Sequence, residues 1–322
     1  MKKIRFGVFL PFYSLKFDER RTSSPFDRIK NIVQECERLG YDSIWLDDHL
    51  FYGKQPVFEC WTTLSALSSS TTKIRLGTMV LCSSFRNPAL LAKMAATFDV
   101  ISNGRLEFGI GVGVQKDEHD AFGIPFLKPN ERVERMKEAV EIIKKMWTEE
   151  KTSYRGKFYR TNDAVCEPKP LQKPHPPLII AGGGEKHTLK VVAQHADRFD
   201  WGAIPSFDLY KHKIDALKRH CKAVGRNFEE IEKSCWLGGQ IYIAQNQKDL
   251  SERILFWKPE SVSLEDFKKL NLVGAPDVFI KKIRQYRNFG VTYFMLFFGD
   301  LPDLEGVKLF ADKVINKLHS VG

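Results

Sequence analysis

Eight short apolar segments recur along the chain, and helical patterns separate most of them. The segments span 4–11, 43–48, 74–81, 105–111, 178–181, 199–204, 240–244 and 293–298. The helical patterns lie at 88–101, 131–147, 186–195, 209–224, 276–289 and 304–318, and Ile29, Ile32, Val33, Cys36 and Leu39 mark an earlier one before Gly40. Apolar strands that alternate with amphipathic helices are typical of a parallel sheet covered by helices. Eight such units favour a closed (β/α)8 TIM barrel, an α/β fold, over an open sheet.

Two stretches interrupt this repeat. At 322 residues, of which 43% are hydrophobic, the chain suits one barrel-sized domain, which we predict over 1–322. We interpret 151–177, rich in Pro, Lys and Tyr, and 245–273, polar with a Trp-Lys-Pro break, as insertions. Such insertions either shape the mouth of a pocket or simply run over the surface, and the sequence leaves both interpretations open.

The charge and the cysteine pattern argue against several classes of protein. The formal net charge is +10, but Lys and Arg alternate with Asp and Glu and no nucleic-acid motif is recognisable, so we expect no nucleic-acid partner. No apolar run approaches the roughly 20 residues of a membrane-spanning helix, and the first residues do not resemble a signal peptide. The six cysteines form no Cys-x-x-Cys pair and the eight histidines are dispersed. We therefore expect a cytoplasmic protein with reduced thiols and no metal.

A carboxylate and an imidazole, Asp48 and His49, stand at the end of the second apolar segment. In α/β enzymes the chemistry lies where buried strands open into loops. Histidine exchanges protons near neutral pH, so His49 is a candidate general acid or base, with the carboxylate of Asp48 to orient it. The alternative is a structural histidine that caps the loop.

Alternating glycines end the fourth apolar segment, at Gly109, Gly111 and Gly113. Glycine at every second position of a strand removes the side chains from one face. Either a flat ring lies against that face, or the glycines only let a neighbouring strand or helix approach closely. The sequence does not decide between the two.

A further glycine run, Gly182, Gly183 and Gly184, follows Ala181 at the end of the fifth segment and precedes a helical pattern. Successive backbone N–H groups at the start of a helix can surround a phosphate. Phosphate sites in barrels favour the later strand-to-helix loops, which fits this position. The alternative is a flexible turn, and the spacing does not match the dinucleotide fingerprint.

These places together resemble the bacterial luciferase-like monooxygenase superfamily, whose members are barrels that use reduced flavin or the 8-hydroxy-5-deazaflavin coenzyme F-420 (F420). The resemblance covers most of the chain and is densest over 74–80, 86–93 and 99–106. It continues in family order through Glu118, 121–125, 181–184, 196–197 and 274–276. The ending Leu46-Asp47-Asp48-His49 is similar to that of the F420-dependent dehydrogenases and reductases.

The resemblance implies roles for particular residues. Met79 and Val80 match a pair joined by a non-proline cis peptide that backs the deazaflavin ring, and Cys82 matches a small side chain that faces the cofactor. Ala181 to Gly184 match the phosphate-binding turn, and we place Gly113 and Val114 in the cofactor site too. Val114 and Gly53 stand where alcohol and sugar-phosphate dehydrogenases of this branch carry glutamate and tryptophan, so those specific activities are not implied.

We therefore expect an enzyme that transfers a hydride between F420 and a small organic substrate. The first alternative is a monooxygenase that uses reduced flavin mononucleotide (FMN) and oxygen. The second is a protein that binds the cofactor without catalysis, which the differences at Gly53 and Val114 motivate. Dimers are common in this superfamily, so a homodimer is compatible with the sequence.

Overall fold

The computed structural model describes residues 3–15, 24–203 and 206–320. The described strands are β1 (Arg5–Leu10), β2 (Ser43–Leu46), β3 (Arg75–Thr78), β4 (Leu81–Cys82), β5 (Leu106–Gly111), β6 (Thr152–Arg155), β7 (Arg160–Ala164), β8 (Leu178–Ala181), β9 (Arg198–Asp200), β10 (Ser234–Trp236), β11 (Ile241–Ile243), β12 (Leu272–Gly274) and β13 (Tyr293–Leu296). The α-helices are α1 (Pro25–Arg38), α2 (Cys60–Ser68), α3 (Pro88–Ile101), α4 (Lys116–Ala121), α5 (Pro129–Thr148), α6 (Thr188–His195), α7 (Phe207–Ala223), α8 (Gln247–Trp257), α9 (Leu264–Leu270), α10 (Pro276–Asn288), α11 (Glu305–Phe310) and α12 (Asn316–Ser320). Strands and helices alternate as predicted.

The chain divides into two compact units, and the predicted single domain over 1–322 stays a prediction. The first unit comprises Met1–Trp45, Trp201–His212 and Glu232–Gly322, and the second comprises Leu46–Asp200 and Lys213–Ile231. In the first unit, β13 pairs in parallel with both β1 and β10. In the second, β5 pairs in parallel with β3, β4 and β8, and β8 pairs in parallel with β9.

Local sequence explains where the best predicted helix begins. Pro88 is the first residue of α3, and the side chain of Asn87 accepts a hydrogen bond from the N–H of Ala89 at 2.9 Å. An Asn cap followed by Pro is a strong start signal because Pro needs no N–H partner there. The predicted and observed bounds of this helix are the same.

The seventh predicted strand, 240–244, is a correction. It contains β11, but β11 pairs with β12 in a separate two-stranded sheet. The strand that pairs with β13 is β10, whose Ser-Cys-Trp sequence is too short and too polar to resemble a buried strand. The sixth prediction, 199–204, overlaps β9, and its last residue lies outside the described residues.

The first predicted insertion contains an antiparallel hairpin of β6 and β7. Glu138 of α5 holds the turn, because its carboxylate accepts the N–H groups of Lys157 at 2.7 Å and of Phe158 at 2.9 Å. The hydroxyl of Tyr159 donates to the carbonyl of Ser83 at 3.4 Å. This segment therefore contacts the loop after β4, which favours a role at a pocket over a plain surface excursion.

The second predicted insertion contains α8, α9 and β12. Leu250, Ile254 and Phe267 of its helices pack with Tyr242 and Ala244 in a small apolar cluster. Arg253 of α8 also forms an ion pair with the buried Asp300. This polar stretch thus builds an apolar cluster of its own.

The stability of the second unit should depend on pH through His195. Burial lowers the pKa of this imidazole from 6.5 to about 4. Between those values the unfolded chain binds a proton that the folded protein does not, so the free energy of unfolding falls as the pH falls. We expect wild type to lose about 2 kcal/mol more than His195→Gln between pH 7 and about pH 4.5 in urea titrations. His187→Gln, at an exposed histidine, is the control, and equal pH dependence of all three proteins would contradict the prediction.

No helix among the described residues is long and apolar enough to span a bilayer. Within the same three ranges, no group of three His, Cys, Asp or Glu side chains is arranged to hold a metal ion.

Candidate active site

A cavity of about 260 Å³ lies within the second unit. Its walls come from the loop after β2, the segment joining β3 and β4, the end of β5, helix α4 and the turn after β8. The predicted site residues that line it are Asp48, His49, Met79, Val80, Cys82, Gly113, Val114, Ala181 and Gly182. Gly183 and Gly184 follow in the same turn but are not part of the wall.

The segment between β3 and β4 forms one wall and lies directly on the glycines of β5. The peptide bond between Met79 and Val80 is cis, which confirms the prediction. A Cβ atom on Gly109 would lie 2.0 Å from the carbonyl oxygen of Thr78, and one on Gly111 would lie 2.8 Å from a methyl group of Val80. Real Cβ atoms do not approach so closely, so these glycines allow close backbone approach. A ring cannot lie against this face of β5 because the wall already covers it.

His49 pairs with Glu118 across the cavity wall. Its Nδ1 lies 3.1 Å and 3.2 Å from the two carboxylate oxygens of Glu118, and the Glu118 side chain is only 5% exposed. The N–H of Leu50 donates to the same carboxylate at 2.7 Å. A carboxylate fixed in this way sets the orientation and the tautomer of the imidazole.

Asp48 does not take the orienting role that the sequence predicted for it, which is a correction. The Arg86 guanidinium donates to both of its oxygens, at 2.7 and 2.8 Å, and the N–H of Cys82 donates at 2.9 Å. Burial raises the pKa of Asp48, and these donors oppose that rise. Arg86 also donates to Glu59, the cap of α2, at 2.6 Å. Asp48 therefore ties β4 and the start of α2 to the cavity.

A second histidine reaches the cavity through a chain of side chains. Cys82 Sγ lies 2.9 Å from Ser84 Oγ, which lies 2.7 Å from His119 Nε2. His119 Nδ1 lies 2.7 Å from the carbonyl oxygen of Gln115, so Nδ1 donates and Nε2 accepts from the serine. The Ser84 hydroxyl then accepts from the thiol. Burial raises the pKa of Cys82, which keeps it in the thiol form at neutral pH.

Glu118 and His119 are consecutive residues of α4, a helix that the sequence analysis did not predict. The helix has six residues and no apolar stripe, so periodicity gives no signal for it. The position of Glu118 within the family-like blocks was the one indication of its importance. The pairing with His49 joins residues 69 positions apart and needs the fold to become visible.

The turn after β8 offers two backbone donors. The N–H of Gly182 donates to the carbonyl of Asp200 at 2.8 Å and is part of the strand pairing. The N–H groups of Gly183 and Gly184 donate no hydrogen bond to any residue that the structure describes. The predicted anion site is thus narrowed to these two N–H groups.

Lys213 of α7 adds a positive charge beside this turn. Its Nζ donates to the carbonyl oxygen of Gly183 at 2.7 Å and to the Glu185 carboxylate at 2.8 Å. Sequence reasoning missed this lysine because it lies 30 residues from the turn. The arrangement suits an anion held by two N–H groups next to an ammonium.

The sequence and the structure of this cavity have counterparts in known proteins. A family model for luciferase-like monooxygenases matches residues 4–259. The chain belongs to this family. The predicted resemblance to the luciferase-like superfamily is confirmed.

Relatives in the luciferase-like family use two kinds of cofactor. An F420-dependent glucose-6-phosphate dehydrogenase of Amycolatopsis mediterranei (strain U-32) is 27% identical, covering 92% of this chain and 96% of that protein. An FMNH2-dependent dimethylsulfone monooxygenase of Pseudomonas putida is 32% identical, over 64% of this chain and 57% of that protein.

A solved structure of the family shows the fold. An F420-dependent secondary alcohol dehydrogenase, in complex with an F420-acetone adduct, superimposes with a TM-score of 0.80 at 20% identity, and the match covers 98% of this chain and 99% of that one. The predicted (β/α)8 TIM-barrel class is confirmed.

Two positions that differ from the branch lie at the rim of the site. Val114 lines the cavity, but 71% of the residue is exposed. Gly53 is exposed, has a φ of +56°, and lies in the loop that follows His49. Neither offers a side chain that could exchange a proton, so the proton-transferring group of this family member has to come from elsewhere in the cavity.

Proposed function

We propose that this protein is an oxidoreductase that transfers a hydride between F420 and a small organic substrate. The observation that carries the proposal is the His49–Glu118 pair in the wall of the cavity, within a chain that belongs to the luciferase-like family. The F420-dependent relative matches nearly the whole chain, whereas the FMNH2-dependent one matches about two thirds of it. Both the pair and the extent of the match support the F420 reaction.

The cavity fits the cofactor in two respects. Met79 and Val80 form a compact apolar wall for a flat ring, and the N–H groups of Gly183 and Gly184 are available to a phosphate. When it is bound, the deazaflavin ring supplies or accepts the hydride. The protein then has to bind and orient the substrate and move a proton to or from it.

His49 is the group we assign to the proton. With Nδ1–H donated to Glu118, Nε2 carries the lone pair that accepts a proton from a substrate hydroxyl. The carboxylate of Glu118 then stabilises the imidazolium that forms, since the two charges lie about 3 Å apart in a buried setting. In the reverse direction the imidazolium returns the proton. Glu118 is a positioning residue in this scheme, and so is Asp48.

Parallel titrations of purified protein would test the cofactor. We would add oxidised and reduced F420 and oxidised and reduced FMN separately, and follow the absorbance or fluorescence of each ligand. Selective binding of F420 supports the proposal and leads to a panel of alcohols, aldehydes and sugar phosphates as hydride donors or acceptors. Failure of all four ligands to bind would overturn the cofactor site itself.

The FMNH2-dependent relative supports a second candidate, a monooxygenase. The glycine turn would hold the phosphate of FMN as well as that of F420, so the turn does not separate the two candidates. Selective binding of reduced FMN, with oxygen consumption that requires a flavin reductase, would favour this candidate. Tight binding of either cofactor without turnover of any substrate in the panel would indicate a binding protein.

The glycine turn gives a prediction of its own. A Cβ on Gly183 would meet Lys213 at 3.7 Å, an ordinary contact, so Gly183→Ala should fold normally. The added methyl group crowds a phosphate on the neighbouring N–H groups, so we expect about tenfold weaker binding of F420. Affinity for 8-hydroxy-5-deazariboflavin, which lacks the phosphate, should not change. An equal loss for both ligands would contradict the role of the turn.

We further propose a cytoplasmic, homodimeric protein that has no nucleic-acid partner. Six free and buried cysteines suit a reducing compartment. Leu255 and Phe256 of α8 and Leu270 of α9 are each at least 70% exposed, and such apolar side chains suit an interface. Light scattering would measure the mass in solution, and a monomer would overturn the dimer.

A further inference from the structure

A second cavity, of about 540 Å³, lies within the first unit. Its walls include Phe9 of β1, Trp236 of β10, Phe297 after β13 and Lys282 of α10. None of the residues predicted for the cofactor or for proton transfer lines it. The cavity therefore has no role in the site described above.

Three aromatic rings give this cavity an apolar body. The ring of Phe9 meets that of Trp236 edge-on, with centroids 5.2 Å apart and an angle of 71°, and meets that of Phe297 at 5.6 Å and 83°. Edge-on contacts leave ring faces for a further apolar or aromatic group. A flat apolar ligand suits these walls.

The polar groups of the cavity have donors to spare but few acceptors. Gln240 Oε1 accepts the hydroxyl of Tyr242 at 2.6 Å, and Asn271 Oδ1 accepts the N–H of Gln240 at 2.8 Å. The Asn271 amide N–H donates to the carbonyl of Phe267 at 3.0 Å. In contrast, Gln240 Nε2 and Lys282 Nζ have no hydrogen-bond or ion-pair partner among the described residues. The unmet polar capacity is that of donors, one of them an ammonium.

Lys282 is half-buried, and its charge is therefore costly without an anion. Burial lowers the pKa of this ammonium. The second lysine of the cavity, Lys269, differs because it is exposed and pairs with Glu265 at 2.8 Å. Lys282 is thus the group in this cavity that a bound anion would stabilise.

We propose that this cavity binds an organic anion with a flat apolar body, of the aromatic carboxylate class. The carboxylate would accept hydrogen bonds from Lys282 Nζ and Gln240 Nε2, and the ring would pack among Phe9, Trp236 and Phe297. The site lies within the first unit and needs no cofactor. The proposal therefore stands or fails separately from the redox reaction.

Calorimetric titrations of the cofactor-free protein test the site with two probes of one shape. The probes are 2-naphthoate and its neutral counterpart 2-naphthalenemethanol. We expect wild type to bind one 2-naphthoate per chain, about tenfold more tightly than the alcohol, because of the charged hydrogen bond. Lys282→Met should remove this preference for the anion while it leaves the affinity for the alcohol unchanged. The matched control is Lys281→Met, at the exposed neighbouring lysine, which should behave as wild type.

Variants of the wall check the location. Phe297→Ala should weaken both probes by a similar factor, since both lose the same apolar contact. Circular dichroism would establish that each variant is folded. The absence of 2-naphthoate binding to wild type, or an equal loss in Lys282→Met and Lys281→Met, would overturn the proposal.

Discussion

Turnover should fall about 10²- to 10⁴-fold when His49 is replaced by glutamine, the usual contribution of a general acid or base. Glutamine keeps a polar side chain of similar reach but cannot exchange a proton at neutral pH. Binding of F420 should change little, because the proposed cofactor contacts lie on the 79–82 segment and the glycine turn. The measurement is kcat/KM with the best substrate from the panel, alongside an F420 titration.

Neighbouring acids on α4 provide the matched comparison. Glu118→Gln should also lower kcat, by a smaller factor, since the amide still contacts His49 but no longer carries the charge that stabilises the imidazolium. Asp117→Asn changes an exposed carboxylate one position earlier and should have no effect. Full activity of His49→Gln with cofactor bound would show that another group moves the proton.

The second large effect is expected at Gly109. A Cβ at this position would lie 2.0 Å from the carbonyl oxygen of Thr78, and hydrogen bonds join the same two residues: Thr78 Oγ1 donates to Gly109 O at 2.8 Å and accepts from Gly109 N at 2.9 Å. The backbone of Thr78 cannot yield without breaking these bonds. We therefore expect Gly109→Ala to lower the free energy of unfolding by about 3 kcal/mol or more.

Urea denaturation would measure this loss, and Gly183→Ala serves as the control because its added methyl group meets only Lys213 at ordinary contact distance. Gly109→Ala should also weaken F420 binding, since the Met79 and Val80 wall rests on this strand. A variant that unfolds within about 1 kcal/mol of wild type would mean that the two segments separate easily.

The strands and helices of this fold were largely predictable because each is locally marked. Apolar runs with a glycine or proline at their ends gave β1, β5 and β8, and the Asn-Pro cap gave α3. β10 was missed because three residues carry no period, and the more apolar β11 took its place in the prediction. What makes β10 a sheet strand is its pairing with β13, a contact between distant residues that no local pattern contains.

The candidate site was predictable in its positions but less so in its partnerships. Sequence placed His49, the 79–82 segment and the glycine turn correctly at one cavity. It assigned the orienting carboxylate to Asp48 because that residue is adjacent in the chain. The structure instead engages Asp48 with Arg86 and brings Glu118 to the imidazole. Adjacent side chains on an extended segment point in opposite directions, which is why chain neighbours seldom form such pairs.

The alternating glycines illustrate a different limit. Their spacing allowed either a ring or a neighbouring backbone against one face of β5, and both interpretations rest on the same missing side chains. Only the positions of Thr78 and Val80 decide the matter, and they lie about 30 residues earlier. The glycines thus act on the cavity indirectly, by setting how deep its floor lies.

Helix α4 makes two sides of the cavity answer to a single short element. Glu118 reaches His49 and its neighbour His119 reaches Ser84 and Cys82, so the two contacts share one backbone. A deletion or insertion of one residue before α4 would rotate both side chains away together, by about 100° around the helix axis. Natural variation in this loop should therefore preserve its length more strictly than its residues, and redesign of the cavity can use α4 as a single adjustable part.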